Sequence, residues 1–135
     1  NFSALWSPNG THILYSVAEP SNEYRASLWY VKGTGKVGSE RKRLGIETWV
    51  EKCTFFDNTT IYCGIPQDPA AQSGLDHNLN TSPDDLYAID VNTGRSTLIA
   101  SPVLDLQMFN LYVTDDDSVL YFTDEQGRLQ KIQLK

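Results

Sequence analysis

Cys53, Cys63, His12, His77 and several paired aspartates are the side chains of this 135-residue chain with chemistry beyond packing. The two cysteines flank Asp57-Asn58-Thr59, a polar triplet suited to a hairpin turn. Counting back from that turn sets position 55 opposite 61, 54 opposite 62 and 53 opposite 63. A directly opposed, non-hydrogen-bonded pair brings two Cα atoms to about 4.5 Å, within disulfide reach. Two alternatives stand beside the disulfide: a pair of buried free thiols, or half of a zinc site that lacks a second pair of ligands. If bonded, the short loop gains about 2–3 kcal/mol and the compartment is oxidising.

Nucleophilic catalysis needs a hydroxyl or thiol beside a histidine that a carboxylate orients. His12 alternates with Ile13 in a strand pattern and reads as an edge or surface residue, while His77 lies in a polar stretch without a surrounding motif. The sequence contains no Gly-x-Ser-x-Gly elbow, phosphate-binding glycine loop or His-Glu-x-x-His segment. We therefore expect no enzyme and no cofactor. Asp115-Asp116-Asp117 has the oxygen density that calcium favours, but it falls where a turn is due, and aspartate there satisfies local backbone donors. Asp84-Asp85 leaves calcium open, and no metal site is assigned.

The net charge of −6, with a pI near 4.7, argues against binding a phosphate backbone. Arg41-Lys42-Arg43 is the one basic cluster and reads as a solvated loop or edge. No apolar run approaches the roughly 18 residues of a membrane span. The sequence opens directly on a strand pattern without a leader, from which we expect an upstream portion to have been removed or not included.

The elements that position these residues repeat. Ala4-Leu5-Trp6, then Ser7-Pro8-Asn9-Gly10, then His12-Ile13-Leu14-Tyr15-Ser16 is followed by Leu28-x-x-Val31. The same order returns at residues 53–64 with Leu86-x-x-Ile89, and at residues 111–122 with Leu129-x-x-Ile132. Anchored on Ile13, Ile61 and Val119, the spacing is 48 and then 58 residues, the period of β-propeller blades. The fold class is all-β: a β-propeller portion of about three four-stranded antiparallel blades, approximately 1–48, 49–103 and 104–135, the last incomplete. Strands are expected at 4–7, 12–18, 27–32 and 42–46; at 52–56, 60–65, 86–91 and 96–100; and at 108–114, 119–123 and 129–133. Such a segment needs a cover for Leu5, Tyr15 and Leu28 at one end and for Tyr112, Tyr121 and Leu129 at the other.

Trp6-Ser7-Pro8-Asn9-Gly10-x-x-Ile13-x-Tyr15-Ser16 resembles the WSPDGxxIxYS signature of TolB-type, WD-like propeller repeats, with Asn9 in place of Asp. The second and third copies are degenerate versions of it, so the resemblance covers most of the chain. Cys53, Tyr62-Cys63-Gly64-x-Pro66, Asp84-Asp85 and Tyr87-x-Ile89-Asp90-x-x-Thr93-Gly94 further resemble bacterial propeller proteins of unassigned role. The signature is specific for fold and unspecific for activity.

One segment breaks the repeat. From anchor to Leu-x-x-Val/Ile strand there are 15, 25 and 10 residues in the three copies. The excess is the polar stretch 67–84, expected to be an exposed loop, and Gln67, Asp76, His77 and Asp84 on it, with Asp85 just after it, are the candidate binding residues. The expected function is a non-catalytic binding or structural module of a bacterial extracytoplasmic protein, in the periplasm or at the cell surface. Its partner is another protein, a second copy or the remaining blades of a parent chain. Two alternatives differ in class: an accessory domain of a prolyl-oligopeptidase-type serine peptidase, and a carbohydrate-binding propeller using Trp29, Tyr30 and Trp49 as exposed stacking platforms.

Overall fold

The computed structural model describes residues 3–36, 40–102 and 105–135. They form eleven strands in three antiparallel sheets, and within each sheet every strand pairs with its neighbour in sequence. The first sheet is β1 (Ala4–Trp6), β2 (His12–Ala18), β3 (Ala26–Lys32) and β4 (Lys42–Arg43). The second is β5 (Cys53–Phe55), β6 (Thr60–Pro66), β7 (Asp84–Asp90) and β8 (Ser96–Ala100). The third is β9 (Phe109–Val113), β10 (Val119–Thr123) and β11 (Leu129–Gln133), without a fourth strand among the described residues. The blade boundary expected at 103–104 lies outside them. No helix among the described residues is long and apolar enough to cross a membrane.

One short polar side chain shapes the first turn of each sheet. Asn9 Oδ1 accepts from Ser7 Oγ, Thr11 N and Thr11 Oγ1. Asp57 Oδ1 accepts from Thr59 N, Thr59 Oγ1 and Thr60 N, and Asp116 Oδ1 from Thr114 Oγ1, Ser118 N and Ser118 Oγ. Asparagine and aspartate suit these turns because their oxygens replace backbone acceptors at short range. Gly10 (φ 72°) and Asp117 (φ 59°) take the left-handed residue that follows.

The pairing corrects the repeat register. Trp6 lies opposite Ile13, Phe55 opposite Ile61, and Val113 opposite Leu120. Leu28, Leu86 and Leu129 lie opposite Ser16, Gly64 and Thr123, three residues beyond Ile13, Ile61 and Leu120. The third anchor is therefore Leu120, not Val119. In a strand, a slip of one residue exchanges the two faces. Leu120 is fully buried, whereas Val119 is half-buried.

That alternation explains how the sheets pack. Along β6, Ile61 and Cys63 join Leu14, Leu28 and Tyr30 of the first sheet in one core cluster. Tyr62, from the opposite face of β6, joins Leu86, Met108, Leu111, Leu120 and Phe122 in a second cluster with the third sheet. Gly64 shares that face, where a Cβ would stand 2.9 Å from Met108 Cβ. The middle sheet is thus covered on both faces, at roughly 25 cal/mol for each Å² of apolar surface removed from water.

The expectation that Leu28 needs an outside cover is overturned, because the second sheet buries it completely. At the other end the expected exposure is present at two positions: Tyr112 is 58% and Leu129 70% exposed.

Candidate functional site

The polar segment after β6 is anchored to the first sheet. Arg25 Nε donates to the Pro69 carbonyl, Gln72 N to Glu23 O and Gly74 N to Tyr24 O, each at 2.8 Å. Gly74 sits so close that a Cβ would lie 2.6 Å from Tyr24 O, and the adjacent Ser73 is fully buried. This half of the segment departs from the exposed loop read from sequence. Its polarity misled, because the backbone docks while the side chains stay polar.

Beyond Gly74 the segment makes a short turn of 3-10 helix, His77–Leu79, capped by Asp76 Oδ1, which accepts from Asn78 N. His77 stacks obliquely on Trp49, with ring centroids 4.5 Å apart, and its Nε2 lies 3.8 Å from Glu51 Oε2. Trp49 immediately precedes another short turn, Val50–Lys52, which leads into β5.

Lys52 and Asp84 meet beneath this turn. Lys52 Nζ donates to Asp84 Oδ2 at 2.6 Å, and Met108 N donates to the same oxygen at 2.7 Å. The ammonium also lies 4.7 Å from the Phe109 ring centre and 5.5 Å from that of Trp49. Both charged side chains are sealed from solvent. Burial lowers the Lys52 ammonium and raises the Asp84 carboxyl, while their mutual attraction opposes both changes. Asp84 Oδ1 has no hydrogen-bond donor among the described residues.

Two adjoining hollows of about 620 and 390 Å³ share Trp49 and His77 as a common wall. The first reaches Glu51 and Leu75, and the second reaches Asn80, Gln107, Phe109 and Glu125. Glu125 Oε2 accepts from Gln107 N, and Gln107 Nε2 donates to Asn80 O, tying the third sheet's approach to the segment. Trp49 Nε1 and Asn80 Nδ2 are buried donors without acceptors among the described residues.

The five candidates at the segment and its end separate accordingly. His77 stands at the hollows, while Asp76 caps the short turn that carries it. Gln67 and Asp85 pair with each other at 2.8 Å. Asp84 is not a loop residue: it opens β7 opposite Pro66 and is buried against Lys52, so it is corrected to a core residue. Lys52, Asn80, Gln107, Phe109 and Glu125 escaped sequence reading. The available signal was Lys52 itself, a charge at the mouth of an apolar strand.

Cys53 and Cys63 are opposed as counted and joined, with Cα atoms 4.1 Å apart. Trp49 and Tyr30 are buried, which removes them as carbohydrate platforms. Trp29 is half-buried, donates to Glu19 and lies 5.6 Å beneath the Arg41 guanidinium. The rest of the basic cluster is also engaged within the chain, Lys42 with Asn92 O and Arg43 with Glu19.

Thr11, His12 and Glu40 do place a hydroxyl, an imidazole and a carboxylate in sequence. Thr11 Oγ1 is 2.8 Å from His12 Nδ1, and Nε2 is 3.9 Å from Glu40. However, the hydroxyl's single proton goes to Asn9 Oδ1, so Nδ1 must be the donor to Thr11. That tautomer cannot take a proton from the hydroxyl.

No protein-family model matches the chain, and no curated protein sequence matches it. Among solved structures it is similar to a puromycin-hydrolyzing peptidase from Mycobacterium tuberculosis, with a TM-score of 0.53 and 10% identity. The likeness covers 99% of this chain and 20% of the peptidase. At that identity it concerns the fold alone, and this chain spans about a fifth of that protein's length.

Proposed function

We propose that the chain is a run of three blades of a TolB-type β-propeller, serving as a non-catalytic binding and structural module of a bacterial extracytoplasmic protein. The serial packing carries this reading. The middle sheet gives one face to the sheet before it and the other to the sheet after it, with equivalent residues at the two junctions. Arrays built this way act as scaffolds, and recognition falls to the loops they hold. The buried Cys53–Cys63 bond supports an oxidising compartment.

The open outer face of the third sheet, with Tyr112 and Leu129, is where this reading places a further sheet, from the parent protein or from a second copy. Sedimentation across a concentration series tests it. The array reading expects association between isolated chains that Leu129→Glu abolishes. A chain that stays monomeric at high micromolar concentration and binds no hydrophobic dye contradicts it.

One observation favours a second reading, an accessory propeller of a prolyl-oligopeptidase-type serine peptidase: the structural likeness extends over nearly the whole chain. The reading frame of the parent gene separates the two, since the peptidase reading requires an α/β-hydrolase segment carrying the nucleophile.

A further inference from the structure

The two hollows around Trp49 and His77 have an uneven charge balance. Lys52 lines the second hollow, but its ammonium is neutralised by Asp84 at 2.6 Å and is out of solvent contact. Glu51 and Glu125 remain, one in each hollow, and the field of both reaches Lys52. Between them stand His77 and the half-buried Phe109, with the buried Trp49 behind them, and an aromatic ring such as that of Phe109 attracts a cation over its face. Trp49 and Asn80 line the hollows though each is only 4% exposed, and Trp49 Nε1 and Asn80 Nδ2 are buried N–H groups without an acceptor among the described residues. A buried donor left unpaired is costly, so an occupant that brings acceptors gains from both.

We propose that this groove binds an extended peptide segment carrying lysine or arginine side chains. The cationic side chains meet Glu51 and Glu125 against the aromatic walls, and the peptide carbonyls accept from Trp49 Nε1 and Asn80 Nδ2. A peptide suits this set better than a nucleic acid, whose phosphates the two carboxylates repel, and better than a saccharide, which leaves both charges unanswered. The inference rests on the binding-module reading and names the site and ligand class within it.

Titration of the full chain with a short fluorescein-labelled lysine–glycine peptide tests it, beside a glutamate–glycine peptide and a cello-oligosaccharide. Saturable binding of the lysine peptide alone is expected. E51Q/E125Q weakens it by about tenfold or more, as loss of two charge-assisted contacts implies. E40Q/D115N removes the same charge elsewhere and leaves the affinity within about twofold, as distant surface charges screened by salt imply. W49F removes the indole N–H together with part of the ring and weakens binding by roughly threefold or more, at least the worth of one hydrogen bond. In ¹⁵N spectra of the unmodified chain, the Trp49 indole N–H resonance, assigned by its loss in W49F, shifts on titration. That readout holds even where E51Q/E125Q does not fold.

The proposal is overturned by absence of saturable binding, by equal weakening in E51Q/E125Q and E40Q/D115N, by an unmoved Trp49 resonance, or by saturation with the oligosaccharide instead. Each of these leaves association through the third sheet untouched. Loss of that association with peptide binding intact counts against the array reading alone.

Discussion

Leu86 and Leu129 hold the same register position in consecutive sheets, opposite Gly64 and Thr123, but Leu86 is fully buried and Leu129 is 70% exposed. The third sheet covers the first of them, and no described residue covers the second. The difference predicts unequal costs for one substitution. Leu86→Ala lowers stability by about 2–5 kcal/mol through lost burial and a cavity. Leu129→Ala changes it by about 0.5 kcal/mol or less in the monomer. Urea unfolding of the two variants at low protein concentration measures both.

The Lys52–Asp84 pair predicts a non-additive response. Asp84→Ala strands a buried ammonium and the Met108 N–H, and lowers stability by about 3–5 kcal/mol. The double variant K52M/D84N carries no buried charge, and its amide oxygen still accepts from Met108, so it is more stable than Asp84→Ala alone. A double variant as unstable as the single one refutes this account.

Tyr62 donates to Asp117 at 2.7 Å, and its phenol is pushed far above the ordinary value by burial first and then by that bond and charge. The folded state holds the proton more tightly than the unfolded state. This contribution is complete below about pH 10, the unfolded value, and is lost as pH rises beyond it. Thermal melts in alkaline buffers therefore decline above that point. Tyr62→Phe makes the decline shallower, while a parallel curve counts against the coupling.

Gly74 has no room for a side chain between Tyr24 O, Ala18 and Ala26. Gly74→Ala costs about 1–3 kcal/mol by overpacking and loosens the segment from the first sheet. Limited proteolysis then cuts within residues 67–83 faster than in the parent. Unchanged cleavage shows the docking to be incidental.

The Cys53–Cys63 bond closes a short hairpin loop, and C53A/C63A costs about 2–3 kcal/mol. Intact-mass measurement after alkylation under denaturing conditions, without and then with reductant, checks the bond directly. Modification of both thiols before reduction refutes it.

Most of the strand pattern was legible in the sequence because period-two alternation and turn residues act locally. Expected strands at 12–18, 96–100, 119–123 and 129–133 match β2, β8, β10 and β11. The cysteine register was equally local, set by the turn at Asp57. Two things were not legible. The third anchor fell on Val119 because apolar residues fill β10 without strict alternation, and only pairing with Val113 selects Leu120. The groove depends on Lys52 meeting Asp84 and on Glu125 reaching Gln107, encounters between distant residues that no spacing announces. Asp84 looked like loop chemistry because a lone buried aspartate cannot be told from an exposed one until its cation is located.

Cys63 is fully buried, and the disulfide lies inside the cluster that holds the first sheet to the second. A reductant meets the sulfurs only when those sheets part. The bond therefore acts as a timer: its rate of reduction at saturating thiol reports how often that junction opens, and at that limit its lifetime is governed by breathing of the sheets instead of by the reagent.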